Sequence, residues 1–206
     1  MAERVRVAVL ISGRGSNLEA LADYRRKADP YYEIVLVASN VPEARGLVLA
    51  RRFGLPVWSH SHKGLERAEF DRLIDAELRR RDVEVVALAG YMRLLSPEFI
   101  AAWRGRILNI HPSLLPQYTG LDTHRRALLA GEEYAGCSVH VVTEELDSGP
   151  VLAQSKVRIE PRDDPETLAS RVLKAEHELY PRALDEFCWN LLVERSHRSG
   201  AVDVEA

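Results

Sequence analysis

Val5–Ile11 is a short, nearly continuous apolar run that stops at Ser12-Gly13-Arg14-Gly15-Ser16-Asn17, after which Leu18, Ala20 and Leu21 recur at helical spacing. A strand apolar on both sides needs cover on both sides, which is the setting of a central strand in a parallel sheet. Strand, glycine-rich loop and helix in that order point to an open α/β fold. The alternation returns: residues 34–39, 55–58, 83–89 and 107–111 read as further strands, and residues 42–53 and 65–81 as helices. Phe70, Leu73, Ile74 and Leu78 form one apolar stripe on the second of these helices. Ser96-Pro97-Glu98 supplies a capping hydroxyl and a first-turn proline for another helix. Residues 123–130 suit a short helix, residues 137–142 and 151–159 a strand pair, and Asp164-Pro165-Glu166 opens a last long helix that Pro181 is expected to kink or interrupt. The predicted fold is a single-domain, Rossmann-like α/β structure: a mainly parallel twisted sheet, helices on both faces, and an antiparallel C-terminal edge. Residues 1–190 form the domain, and 191–206 are expected to be a flexible C-terminal tail, polar and aperiodic from Ser196 onward.

Charge narrows the partners. Lys and Arg total 28 against 31 for Asp and Glu, so a net charge of -3 gives no electrostatic reason to expect nucleic acid or an acidic membrane. A small ligand fits better. Cys137 and Cys188 have no paired spacing, which argues against a disulfide framework or a zinc ribbon and for a reducing compartment. The first apolar run is too short to span a membrane and lacks a cleavage pattern after it, so the expected location is cytoplasmic. His60 and His62 lack neighbouring ligands at metal spacing and read as solvated loop histidines. No metal is expected.

Chemistry concentrates in residues 107–147. In a strand Asn109 and His111 share one face while Leu108 and Ile110 take the other. Pro112, Pro116 and Gly120 cannot continue that strand, so the polar pair sits where the chain leaves the sheet, the place where open α/β folds bind ligands. Asp147, from a later loop, completes an amide, an imidazole and a carboxylate. An amine attacking a carbonyl-like carbon needs donors aimed at the developing oxyanion and an acceptor for its proton, and these three groups can supply both. No serine or cysteine is placed as a nucleophile, which favours direct transfer over a covalent intermediate.

Two other loops are candidates for binding. The glycine-rich loop opens a helix, where free N–H groups suit a phosphate, although Gly13 and Gly15 also suit a plain tight turn. A dinucleotide site would want a third glycine where Leu18 stands and an acidic residue where Asn40 ends the second strand, so both positions count against a nicotinamide cofactor. Gly90-Tyr91-Met92-Arg93-Leu94-Leu95 is a mostly apolar loop at a strand end, open to two readings: the wall of a flat-ring pocket or ordinary packing.

Five motifs occur in the order found in the phosphoribosylglycinamide formyltransferase family, and the chain resembles that family over roughly residues 5–190. They are Ser12-Gly13-x-Gly15-Ser16-Asn17, Gly90-x-Met92-Arg93, Asn109 to Pro116, Ser138-Val139-His140 and Asp147-x-Gly149-Pro150. The resemblance implies formyl transfer from 10-formyltetrahydrofolate, as co-substrate, to the amine of glycinamide ribonucleotide in purine synthesis. It implies that Asn109, His111 and Asp147 are catalytic, with Asp147 setting the state of His111. Gly15, Ser16 and Asn17 would hold the ribonucleotide phosphate and Glu176 its sugar. Met92, Arg93, Leu94 and Leu95, with Val142, Thr143, Glu144, Glu145, Leu146 and Asp147, would enclose the pterin. The expected partners are these two small molecules, with no nucleic acid and no membrane; a homodimer is an open alternative to a monomer. Initiator-tRNA formyltransferases and formyl-folate hydrolases share the trio, but each is expected to carry a further domain. The chain departs from the family at Leu173, where a phosphate-binding lysine is usual, with Lys174 about 100° round the helix, and at Thr119, where a proline is common. His124, His140 and His177 are expected to serve structure and positioning.

Overall fold

The computed structural model describes residues 3–200. In chain order the elements are β1 (Val5–Ile11), α1 (Ser16–Lys27), β2 (Tyr32–Ser39), α2 (Arg45–Arg52), β3 (Val57–Ser59), α3 (Arg67–Arg80), β4 (Val85–Leu88), α4 (Pro97–Ala102), β5 (Ile107–His111), α5 (Thr123–Leu129), β6 (Tyr134–Val141), β7 (Val151–Arg158) and α6 (Pro165–Gly200). The seven strands lie in the order β3-β2-β1-β4-β5-β6-β7. The first five are parallel, and β6 and β7 add antiparallel at one edge.

The two-sided burial inferred for β1 has a direct explanation. Val5, Val7, Val9 and Ile11 enter a core shared with Leu18 and Leu21 of α1, Leu47 of α2 and Leu168, Val172 and Tyr180 of α6. Ala8 and Leu10 face the other way, into a core with Phe70, Ile74 and Leu78 of α3 and Phe99 of α4. Each fully buried Leu, Ile or Phe contributes roughly 1.5–3 kcal/mol, so two such layers fix the sheet between its helices. Ser96 caps α4 as expected, accepting from the Phe99 N–H at 3.3 Å.

Two expectations shift. β6 starts at Tyr134, three residues early, because Tyr134, Ala135 and Gly136 pair with Arg158, Val157 and Lys156. The last helix continues through Pro181 and through residue 191 to Gly200. Proline removes one N–H and crowds one turn, but Tyr180, Ala183 and Leu184 are buried on either side and hold the helix to the sheet. Leu191 and Leu192 also pack on the core, and Arg195 pairs with Glu84, so the first residues of the expected tail are anchored, up to the polar stretch that starts at Ser196. The tail expectation for residues 201–206 lies outside the described residues. Among the described residues no helix is long and apolar enough to cross a membrane.

Candidate active site

β5 ends with its polar pair over the carboxyl edge of the sheet. Leu108 and Ile110 join the α1, α2 and α6 core, and beneath them the Tyr180 hydroxyl donates to the carbonyls of Leu88 and Leu108 at 3.1 and 3.2 Å. Asn109 and His111 line a cavity of about 630 Å³, together with residues 90–94, residues 120–124, Leu146 and Asp147. A second cavity of about 220 Å³ lies beside it, lined by Arg93, Leu94, Leu95, His140 and residues 142–147. Asn109 and Asp147 line both. Met92, Leu94, Leu121 and Leu146 are exposed apolar side chains on these walls, a concentration typical of a ligand groove.

The trio converges although its members are 38 residues apart at most. Asp147 Oδ2 lies 3.4 Å from His111 Nδ1 and accepts the Gly120 N–H at 2.8 Å. His111 Nε2 faces the Tyr118 carbonyl at 3.0 Å, so a proton on that nitrogen donates there and Nδ1 is left toward the carboxylate. His111 and Asp147 are only 6% and 8% exposed, which keeps their electrostatics strong. Backbone strain supports the arrangement: Tyr118, Asp122 and Asp147 have φ of 55°, 56° and 52° without being glycine. Such outliers persist where surrounding contacts over-determine them, and three of the four among the described residues gather at this site, the fourth being Asp82 after α3.

His140 belongs to the same cluster. The antiparallel register sets it directly opposite Asn109, whose Nδ2 lies 3.2 Å from His140 Nε2. His140 Nε2 is also 3.6 Å from Asp147 Oδ1, and Nδ1 lies 3.2 Å from the Val141 carbonyl. Burial lowers the His140 pKa, against smaller opposing effects of the Val141 carbonyl and Asp147. A neutral ring protonated on Nδ1 donates to Val141 and accepts from Asn109. That pins the Asn109 amide as a donor and leaves its second N–H for the cavity. Burial and then the neighbouring His111 also hold His124 below the usual histidine range.

Local chemistry explains how the distant pieces arrive. Ser138 Oγ donates to the Ser113 carbonyl at 2.6 Å and accepts from the Leu115 N–H at 3.0 Å and Gln154 at 2.8 Å, tying the proline-rich exit of β5 to β6 and β7. At Gly149 an added Cβ would sit 1.7 Å from the Val141 carbonyl oxygen, so only glycine lets the turn press back against β6 and deliver Asp147 beside His140.

The glycine-rich loop forms a separate corner. Gly15 caps α1 in the left-handed region, with φ 83°, and the N–H groups of the first turn lack helical acceptors. Asn17 turns inward: its Nδ2 donates to Glu176 Oε2 at 2.7 Å, and both residues are buried. Burial raises the Glu176 pKa, with the Asn17 bond a smaller opposing effect. Ser16 opens onto a groove between α1 and α6 with His177, while Lys174 is exposed and Leu173 half-buried. His62, expected to be solvated, instead turns its Nδ1 to the Asn40 side chain at 3.1 Å.

Gly15 also has a packing role, because an added Cβ would lie 2.7 Å from Gly46 Cα at the start of α2. Backbone strain and overpacking together predict that Gly15→Ala lowers stability by about 2–4 kcal/mol. Urea melts should show a lower midpoint for it but little change for Gly13→Ala, whose Cβ would meet nothing within 4 Å.

An open α/β sheet with two adjoining cavities at its carboxyl edge, sharing a donor and a carboxylate on their common wall, has the layout of a group-transfer site. The chain belongs to the formyl transferase family, whose model matches residues 5–184. It is 43% identical to the phosphoribosylglycinamide formyltransferase of Escherichia coli (strain K12) over 182 residues, covering 88% of this chain and 86% of that one. It is 47% identical over 182 residues to the trifunctional purine biosynthetic protein adenosine-3 of Gallus gallus, covering 88% of this chain but spanning only 18% of the length of that protein. The crystal structure of phosphoribosylglycinamide formyltransferase from Brucella melitensis superposes with a TM-score of 0.86 at 50% identity, covering 90% of this chain and 96% of that one.

Proposed function

We propose that this protein transfers the formyl group of 10-formyltetrahydrofolate to the amine of glycinamide ribonucleotide, a step of purine synthesis, by direct attack. The pterin occupies the smaller cavity, against Arg93, Leu94, Leu95 and residues 142–147, with Met92 at the neighbouring rim. The ribonucleotide enters from the larger cavity, its phosphate on Gly15, Ser16 and Asn17 and its sugar toward Glu176. The amine lone pair forms a bond to the formyl carbon, and the carbonyl electrons move to oxygen. The Asn109 N–H stabilises that oxyanion, with His111 held alongside by Asp147 and the Tyr118 carbonyl. The amine proton passes to Asp147 directly or through water, and collapse of the adduct breaks the bond to folate nitrogen, which takes up a proton. Both reactants are small molecules, and the reading places the reaction in the cytoplasm.

One observation carries this reading: Asn109 and Asp147 stand on the wall common to both cavities, with His111 3.4 Å from Asp147. The test is incubation with 10-formyltetrahydrofolate, with and without glycinamide ribonucleotide, while folate absorbance is followed. Turnover is expected only with both present. Formate release without the amine would instead indicate a hydrolase, and ribonucleotide binding without folate turnover a non-catalytic module.

A further inference from the structure

Ser12 is the residue where the two proposed substrate loops meet. Its N–H donates to the Gly90 carbonyl at 3.1 Å, continuing the link between β1 and β4 beyond the ends of both strands. Its side chain does more. The Met92 N–H donates to Ser12 Oγ at 2.8 Å, and the Ser12 hydroxyl donates to Asn40 Oδ1 at 2.6 Å. Asn40 is buried, and its Nδ2 faces His62 Nδ1 at 3.1 Å, while that same ring nitrogen lies 2.8 Å from the Asn40 carbonyl. One half-buried hydroxyl therefore joins the residue before the phosphate loop to the backbone of the loop at the folate cavity, and a buried amide holds it in place.

We propose that Ser12, oriented by Asn40 and His62, is a positioning residue that sets the separation between the ribonucleotide loop and the folate loop. It touches neither reacting atom. Its effect follows from geometry: two bound reactants must sit about 3–3.5 Å apart in line, and a misplacement of about 1 Å can slow reaction on the order of 10²-fold. Loss of the Ser12 hydroxyl leaves the Met92 N–H and the Asn40 amide without that partner and frees Met92 to shift, while the Ser12 N–H still holds the Gly90 carbonyl. Asn40 and His62 thereby gain a shared role, one backing the bridge and the other backing Asn40.

The inference rests on the substrate assignment above, and one experiment separates the two. Single-turnover rates at saturating 10-formyltetrahydrofolate and glycinamide ribonucleotide are measured for the wild type, Ser12→Ala and Ser12→Thr. Equilibrium dissociation constants are measured separately for glycinamide ribonucleotide and for tetrahydrofolate. Ser12→Ala is expected to be slower by about tenfold, with each dissociation constant within about threefold of wild type, because the loss falls on alignment rather than on either ligand alone. Ser12→Thr, which keeps the hydroxyl, should recover most of the rate. An unchanged rate in Ser12→Ala, a loss matched by weaker ribonucleotide binding, or a Ser12→Thr protein as slow as Ser12→Ala would each overturn the positioning role. A wild-type protein with no transfer at all would sink the substrate assignment, and this inference with it.

Discussion

Asn109→Ala is expected to lower turnover by about 10²–10³-fold, the usual effect of removing one preorganised oxyanion donor and equivalent to roughly 3–4 kcal/mol of barrier. The expectation rests on how the side chain is held. His140 accepts one amide N–H at 3.2 Å, and Asn109 stands on the wall common to the two cavities, so the second N–H is the donor left for the proposed oxyanion. The donor is therefore in place before the reaction begins, and no free energy is spent on aiming it during charge development. Stability should change little, because Asn109 is only half-buried and its strand neighbours Leu108 and Ile110 keep the core contacts. Asn109→Asp is the sharper companion variant. It preserves shape while replacing a donor with an acceptor beside His140 Nε2, and it should be at least as impaired as the alanine variant. Steady-state kinetics with both substrates, combined with thermal melts, checks the pair. A turnover within about threefold of wild type in Asn109→Ala would remove Asn109 from the oxyanion role.

Which parts of this were readable from the chain follows from sequence distance and from side-chain period. β1 was legible because a continuous apolar run has one economical explanation, burial on two sides, and the alternation of Val7, Val9 and Ile11 against Ala8 and Leu10 bears it out. The shared face of Asn109 and His111 was legible because strand period is two. The structural hydrogen-bonding role expected of His140 does not name its partner, because its relation to Asn109 depends on the antiparallel register of β5 with β6, across 31 residues of sequence. A histidine two residues after Ser138, in a strand otherwise apolar at alternate positions, was the available signal. The Asn17–Glu176 bond spans 159 residues, and no local pattern announces it. α6 runs past residue 190 for a related reason: the polar, aperiodic stretch from Ser196 suggests a tail, while Leu191, Leu192 and Arg195 just before it supply anchors only where the helix meets the sheet and Glu84. The pocket loops were visible as breaks in periodicity, but the positive φ at Tyr118, Asp122 and Asp147 has no counterpart in composition.

In the proposed mechanism the carboxylate of Asp147 does two jobs, and two substitutions can separate them. Asp147→Asn keeps an oxygen to accept the Gly120 N–H but removes the carboxylate charge beside His111, and with it the proposed acceptor for the amine proton. Turnover is expected to fall by about 10²–10³-fold, within the range for a lost general base, while glycinamide ribonucleotide affinity stays within about tenfold. Asp147→Ala removes the charge and also the tie to Gly120, so the loop that closes the larger cavity loses its anchor. Its turnover loss should match or exceed that of Asp147→Asn, and affinity should weaken further. His111→Ala provides the decisive comparison, since Asp147 and His111 would act as one unit. If each single variant loses about 10²-fold, independent residues would give a double variant down by about 10⁴, whereas a unit gives a double variant scarcely slower than either single. Single-turnover measurements on His111→Ala, Asp147→Asn and the double variant decide between these outcomes. Full additivity would mean that the 3.4 Å contact between His111 and Asp147 is a neighbourly packing of two independent groups, and the proton would then need another acceptor.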